Sequence, residues 1–407
     1  MNPPESSKGV REKDEFIKIK NKIIFSIIAF GIILVSSFII YLNFFQDRNL
    51  RNSDQIHIID NSGWIEFRNA GKCTGSGTIL DPYVIKDLYI ENDDPIHIKY
   101  CIWIEDSNAF FIIKNCFLFT PFRFPEFRIG SGIKLTNVAN FQLVDNICQH
   151  NGVGIYLDNC NDGNITGNYL SVNDHGLLVE DCTNVNLTEN NLERNSGWHR
   201  GGGIILLNNL WINCRKNLMN ECGLKVKGSL YNLNSYNIDA TNLVNGKPLY
   251  YYINQINLGP INFSNAGQVL LVNCSNPLIS NLNLLSGLVL HYCNNNTISG
   301  NQKNIVLHNV NKNTISGNIA NYNDYGIYLE NSDNNNITGN FANDNHYGIY
   351  LEYRDNNNIT GNIANYNYDG IYLENSYNNN ITGNIANSNK DDGINIYRSN
   401  YNIITKN

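Results

Sequence analysis

The sequence predicts an all-β fold, a single-stranded right-handed parallel β-helix preceded by one N-terminal transmembrane helix. Three observations predict it. From Gly326 the chain repeats as GIYLENSDNNNITGNFANDNHY, GIYLEYRDNNNITGNIANYNYD and GIYLENSYNNNITGNIANSNKDD, with opening glycines at Gly326, Gly348, Gly370 and Gly393, in steps of 22, 22 and 23. A fixed period of this length marks a solenoid, whose units bury an inner face only when stacked. Within each unit apolar residues alternate, as at Ile349 and Leu351, and no apolar run reaches helical length, so each unit is a set of short strands joined by polar turns. The third observation is Ile23 to Leu42, twenty residues without a charge, enough to cross a hydrocarbon core of roughly 30 Å.

Taken in order, residues 1–22 form a basic, polar tail and residues 23–42 the expected signal anchor. The lysines precede the span, which places the tail in the cytoplasm and the rest of the chain outside, a single-pass protein of the cell membrane with the membrane as a partner. A cleaved signal peptide has a shorter apolar core and a small-residue cleavage site, so an uncleaved anchor is the better reading. Residues 46–130 are strand-rich but off the period, as in CIWIE at Cys101 and FFIIKNC at Phe110. They are expected to cap the solenoid and form its first irregular coils, because an exposed first coil offers an unpaired edge. From residue 131 the register locks: Gly132, Gly154 and Gly176 are 22 apart, as are Asn146, Asn168 and Asn190. An insertion around Trp198 lengthens one coil, and NGKPLYYYINQ reads as a protruding loop near residues 240–260. Coils then resume and run to Asn407. The last of them has no polar cap of its own, so a partner chain is expected along that edge.

Charged residues are 16% of the chain and the net charge is −7, which excludes a polybasic nucleic-acid surface. The ten cysteines include no CxxC pair, and Met1 and Met219 are the only methionines. Thioether ligands, which with thiolates are favoured by soft copper sites, are therefore scarce. Cys160 and Cys182 are one period apart, and Cys274 and Cys293 end matching strands. Stacked thiols and sheared disulfides both fit that spacing.

The units GIxLxxSxNNxIxxN resemble the repeats shared by NosD-like periplasmic copper-binding proteins and a wide group of carbohydrate-binding and sugar-hydrolysing β-helix proteins. The segment IDATNLVNGKPLYYYINQ, followed by AGQVLLVNCSNPLISNLNL, is similar to the NosD-like version in particular. The resemblance implies the fold strongly and the chemistry weakly, since one solenoid hosts many functions.

Candidate sites follow from stacking residues one period apart. In GIYLE, Ile and Leu face inward while Tyr and Glu face out. Tyr328, Tyr350 and Tyr372 should form one aromatic stripe and Glu330, Glu352 and Glu374 an acidic one. Such stripes suit a glycan or cell-envelope polymer, with ring faces on sugars and carboxylates accepting hydroxyls or sharing Ca²⁺. Recognition of such polymers by a membrane-anchored extracytoplasmic protein is the leading expectation. The alternatives are a NosD-like copper accessory protein and a polysaccharide hydrolase, lyase or epimerase. For copper the best cluster is His291, Cys293 and His308, because both histidines follow a Val-Leu pair. No cofactor is certain, with Ca or Cu the candidates. For catalysis no acid–base constellation assembles. Asp391-Asp392-Gly393 is only a superficial echo of a sugar hydrolase and reads better as a turn. Asn318, Asn340, Asn362 and Asn384 are assigned to a buried structural ladder. Asn164, Asn336, Asn358 and Asn380 each begin an Asn-Ile-Thr sequon, making them glycosylation candidates.

Overall fold

The repeats fold as the alternation demands. In the computed structural model, which describes residues 50–92, 100–120, 130–195 and 202–407, almost every strand pairs in parallel with the strand one coil away. Tyr325–Glu330, Tyr347–Glu352 and Asp369–Glu374 stack with Ile327 on Ile349 on Ile371 and Leu329 on Leu351 on Leu373. All six of these aliphatic side chains are buried. Each coil therefore adds one rung to a continuous aliphatic core.

The rod is not uniform. Residues 51–244 build coils from three strands, as in Val153–Asp158, Asn161–Thr166 and Tyr169–Ser171, each stacked on its counterpart one period later. The coils from Lys247 onward use two strands and a corner of single bridges, which links Ile319, Phe341, Ile363 and Ile385. The two solenoids meet where a protruding loop is expected. There the chain forms a tight hairpin: Leu243–Val244 pairs antiparallel with Lys247–Ile253 across Asn245 and Gly246, both at positive φ. Lys247–Ile253 then pairs in parallel with Gln268–Val272. The expected loop is thus the first strand of a second β-helix, and strand polarity reverses within one sixteen-stranded sheet. Its aromatic run, Tyr250 to Tyr252, reads as a loop in sequence because it departs from the Gly-Ile-Tyr-Leu pattern.

The described parts of residues 51–130 contribute strands to the stack. Their strands Tyr100–Ser107 and Phe111–Lys114 pair in register with the long strand Ser131–Val144, so they are already coils. A helix, Asp60–Asn69, lies against the first of them and buries Trp64, whose ring stacks on Tyr83 at 4.9 Å.

The fold class needs one correction. Among the described residues no helix is long and apolar enough to cross a membrane. The segment Ile23–Leu42 lies outside the described residues, as do Trp198 and its insertion. The transmembrane helix, the membrane as partner and the single-pass localisation are accordingly withdrawn.

The inner columns include an asparagine ladder and a row of glycines. Each asparagine of the Asn318, Asn340, Asn362 and Asn384 ladder follows a glycine in the left-handed region, as in Gly339-Asn340 and Gly361-Asn362. Asn340 Nδ2 donates to Asn362 Oδ1 at 2.9 Å and to the Ile315 carbonyl at 2.9 Å, while its own Oδ1 accepts from Asn318. The same pattern carries Asn318, Asn362 and Asn384. These amides thereby spend both their donors and their acceptor inside the core. The second column is the inward glycine of each unit. A Cβ on Gly326 would lie 2.5 Å from the Gly348 carbonyl oxygen, and one on Gly154 2.6 Å from that of Gly176. Side chains are excluded where the coils approach this closely.

Candidate site at the junction of the two solenoids

The reversal places the last strand of one sheet of the first solenoid, Leu224–Lys227, against the outer face of the second. Gln268 binds it as a neighbouring strand would, accepting from the Leu224 N–H at 2.9 Å and donating to its carbonyl at 2.8 Å. Tyr292 donates to the Gly228 carbonyl at 3.2 Å. Gln268–Val272 is buried on both faces: Val269 and Leu271 join the second core, Leu270 and Val272 the first. A β-strand buried on both sides loses the apolar–polar alternation that marks the rest of the repeat.

Under this strand lies the histidine pair. His291 and His308 are register partners on adjacent coils, and their rings stack at 4.7 Å with planes 13° apart. His291 is 2% exposed, and its Nε2 has no hydrogen-bond partner among the described residues. Burial, reinforced by His308 and by Lys227, holds its pKa well below the ordinary histidine value, so the ring is neutral with a lone pair available. His308 Nδ1 lies 2.7 Å from Glu330 Oε2, and Glu330 is the register partner of His308 one coil on. Lys227 Nζ, from the first solenoid, completes the group at 3.1 Å from Glu330 Oε1. The His308 contact, then Lys227, brings the Glu330 pKa down to about 2.

The structure separates Cys293 from this cluster. Its thiol turns into the core, donating to the His291 carbonyl at 3.2 Å and accepting the Cys274 N–H at 3.2 Å. Two residues past an outward histidine, the chain has entered a corner and side-chain alternation no longer holds. Cys160 and Cys182 make the matching contact, and all ten cysteines are thiols.

The tyrosine and glutamate stripes do form, but their surfaces are used internally. Tyr328 stacks on Tyr350 at 5.2 Å and Tyr350 on Tyr372 at 5.0 Å, with Tyr325 and Tyr347 in a second stack beside them. Tyr328 donates to Glu352 at 2.5 Å and Tyr350 to Glu374 at 2.7 Å. Burial, with these carboxylates next, raises both phenol pKa values. Strand spacing lays ring on ring, so the faces expected to hold sugars cover one another. Among the sequon asparagines, Asn358 donates to Asn336, Asn380 to Asn358 and Asn186 to Asn164, each through Nδ2.

A second group of donors lies further along the second solenoid. Oxygens of Asp369, Asp391 and Asp392 all fall within 4.8 Å of one another, with Asp369 buried and the other two exposed. Only the Asp391-Asp392 dipeptide stands out in sequence, because Asp369 arrives from the preceding coil in the place Tyr347 holds one unit earlier. Lys227 gives no sequence signal at all, being 103 residues from Glu330.

Comparison with known proteins divides the chain as the hairpin does. A family model for right handed beta helix regions matches residues 56–245, and one for the periplasmic copper-binding protein NosD matches residues 254–407. The chain is a right-handed parallel β-helix protein related to the NosD family. No curated protein sequence matches this NosD-related chain. Solved structures similar to it include the periplasmic alginate epimerase AlgG (12% identity, 86% of this chain and 84% of that one, TM-score 0.23). Others are the catalytic domain of the GH87 α-1,3-glucanase in complex with nigerose (11%, 88% and 68%, 0.30) and tailspike protein 3 of bacteriophage CBA120 (13%, 80% and 53%, 0.28). Identities and scores this low carry nothing about activity. The leading expectation, a membrane-anchored glycan binder, gives way here. No described helix crosses a membrane, the tyrosine faces are occupied, and the match over the second solenoid is to a copper-binding family.

Proposed function

We propose that this NosD-related β-helix binds a copper ion at the junction, through the imidazoles of His291 and His308 with the carboxylate of Glu330 beside them. The observation that carries the reading is the buried, neutral His291 ring whose Nε2 has no partner. An orphaned buried acceptor costs stability unless something uses it. Metal binding requires imidazoles in the unprotonated form, which His291 already has. Two nitrogens and one carboxylate suit copper better than calcium or magnesium, and the scarcity of methionine leaves imidazole as the natural donor. Bound copper would supply a redox-active Lewis acid at the corner. His308 is oriented by Glu330.

Chelator-treated protein titrated with Cu(II), and with Cu(I) under reductant, tests this. About one equivalent should bind to the parent protein, and His291→Ala and His308→Ala should each lose the tight site. Circular dichroism of both variants guards against misfolding. Unchanged binding in both removes the site.

A second reading concerns Asp369, Asp391 and Asp392. Three carboxylates held within 4.8 Å, one of them buried, form an all-oxygen set suited to Ca²⁺. Calcium binding that survives Asp391→Asn with Asp392→Asn would dismiss it.

A further inference from the structure

The junction holds a cation of its own. Lys227 Nζ lies 3.1 Å from one oxygen of Glu330 and 3.4 Å from the other, and His308 takes the second oxygen at 2.7 Å. The two partners of this carboxylate are held very differently. The Glu330 side chain is 18% exposed and His308 15%, whereas that of Lys227 is 64% exposed. Lys227 ends its strand, and the backbone just beyond it is pinned at Gly228 by Tyr292. Only the four-carbon stem need swing into water to free the carboxylate, with no backbone rearrangement.

We propose that Lys227 is a placeholder cation, occupying Glu330 in the metal-free protein and displaced when a divalent ion enters between Glu330 and the histidine pair. The inference rests on the reading of His291, His308 and Glu330 as donors, and adds that the first solenoid controls access to a site whose ligands all lie in the second. A like charge a few ångströms away in a partly enclosed corner opposes an incoming cation strongly. The mobile ammonium competes with the metal for the same oxygens. Removing it should strengthen binding, whereas an ordinary orienting residue would weaken binding on removal. The guanidinium of an arginine, permanently charged and able to hold both oxygens at once, should guard the site at least as well.

The test is titration of the chelator-treated full chain with Cu(II) and separately with Zn(II), in the parent, Lys227→Met and Lys227→Arg. Lys227→Met should bind at least tenfold tighter than the parent, and Lys227→Arg no tighter than the parent. Equal affinity of parent and Lys227→Met, or weaker binding by Lys227→Met, overturns the placeholder while leaving the copper site standing. Absence of binding in all three overturns both. A readout on the unaltered protein guards against variants that fail to fold. Acetylation of Lys227 by a small N-hydroxysuccinimide ester, followed by mass spectrometry of the peptide, should accelerate several-fold once metal is added. Glu330→Gln should show the faster rate without metal. Lys227 labelling that is indifferent to metal and to Glu330→Gln overturns the proposal.

Discussion

The two solenoids share an inner amide ladder while building their coils from different numbers of strands, and the comparison separates what specifies the bend from what accompanies it. In the second, a left-handed glycine precedes each amide of the ladder, at Gly317, Gly339, Gly361 and Gly383. In the first, the same place before Asn146, Asn168, Asn190 and Asn217 holds Asp145, Gly167, Glu189 and Lys216, all at positive φ. The asparagine is retained where its neighbour is not. Asn168 donates to Asn190 and to the Leu143 carbonyl, just as Asn362 donates to Asn384 and to the Ile337 carbonyl. The inward amide therefore defines the bend, and the glycine only eases it.

The sharpest way to break this comparison is to remove an amide from each half. Asn362→Leu orphans buried donors on Asn340 and buried acceptors on Asn384 and Ile337, so it should cost about 3 kcal/mol or more in denaturant unfolding. Asn168→Leu should cost the same within about 1 kcal/mol, given the context dependence of such bonds. A much smaller loss at Asn168 would mean that the irregular half relies on other contacts. A smaller effect separates the two kinds of glycine. Gly348→Ala pushes a methyl group onto the Gly370 carbonyl and should cost about 2 kcal/mol through overpacking. At Gly361 nothing lies within 4 Å of the added carbon, so Gly361→Ala should cost only about 1 kcal/mol, from its positive φ. Thermal unfolding of the pair should rank them in that order.

The corner adds a pH dependence of its own. His291 has its folded pKa below 6.5. Below that pH the unfolded chain takes up a proton that the folded chain refuses, and stability falls as pH drops. The slope is at most about 1.4 kcal/mol per pH unit from this group. Glu330 acts in the same direction at lower pH. Its folded pKa is about 2 against an ordinary 4.5, so its contribution is complete above 4.5 and is lost as pH falls toward 2. Urea titrations of metal-free protein between pH 7.5 and 5 should show the first loss, and His291→Asn should flatten it.

The smallest expected change is a gain. Arg354 stands in a column with Ser332, Ser376 and Ser399, whose hydroxyls accept backbone N–H bonds from the preceding coil. Arginine offers no acceptor, its Nη2 has no hydrogen-bond partner among the described residues, and burial brings its pKa down to about 10. Arg354→Ser restores the column and should stabilise the protein by about 1 kcal/mol, read as a higher Tm.

The parts of this architecture that repeat were legible from spacing alone. Ile349 on Ile371 and Asn340 on Asn362 follow from a period of 22 and the alternation of a strand. Even the pairing of His308 with Glu330 can be counted off, one coil apart. What spacing cannot supply is a contact between coils that are not neighbours. Lys227 meets Glu330 only because strand polarity reverses at Asn245-Gly246, and a two-residue turn inside an aromatic stretch looks like a loop. Cys293 leaves the histidine face for a local reason, since face alternation stops at a corner. The tyrosine stack follows from the same spacing, but spacing does not say that the rings occupy one another.

The short coil from Asn301 to Asn318 and the reversal that precedes it divide the chain into dispensable and indispensable length. Excising residues 340–361 would join Gly339 to Asn362, reproduce the same junction sequence and shorten the stack by one storey without disturbing His291, His308, Glu330 or Lys227. Excising residues 318–339 would delete Glu330 itself. Storeys beyond the corner are interchangeable, and such a protein can change its reach by whole units while its chemistry stays where the two rods meet.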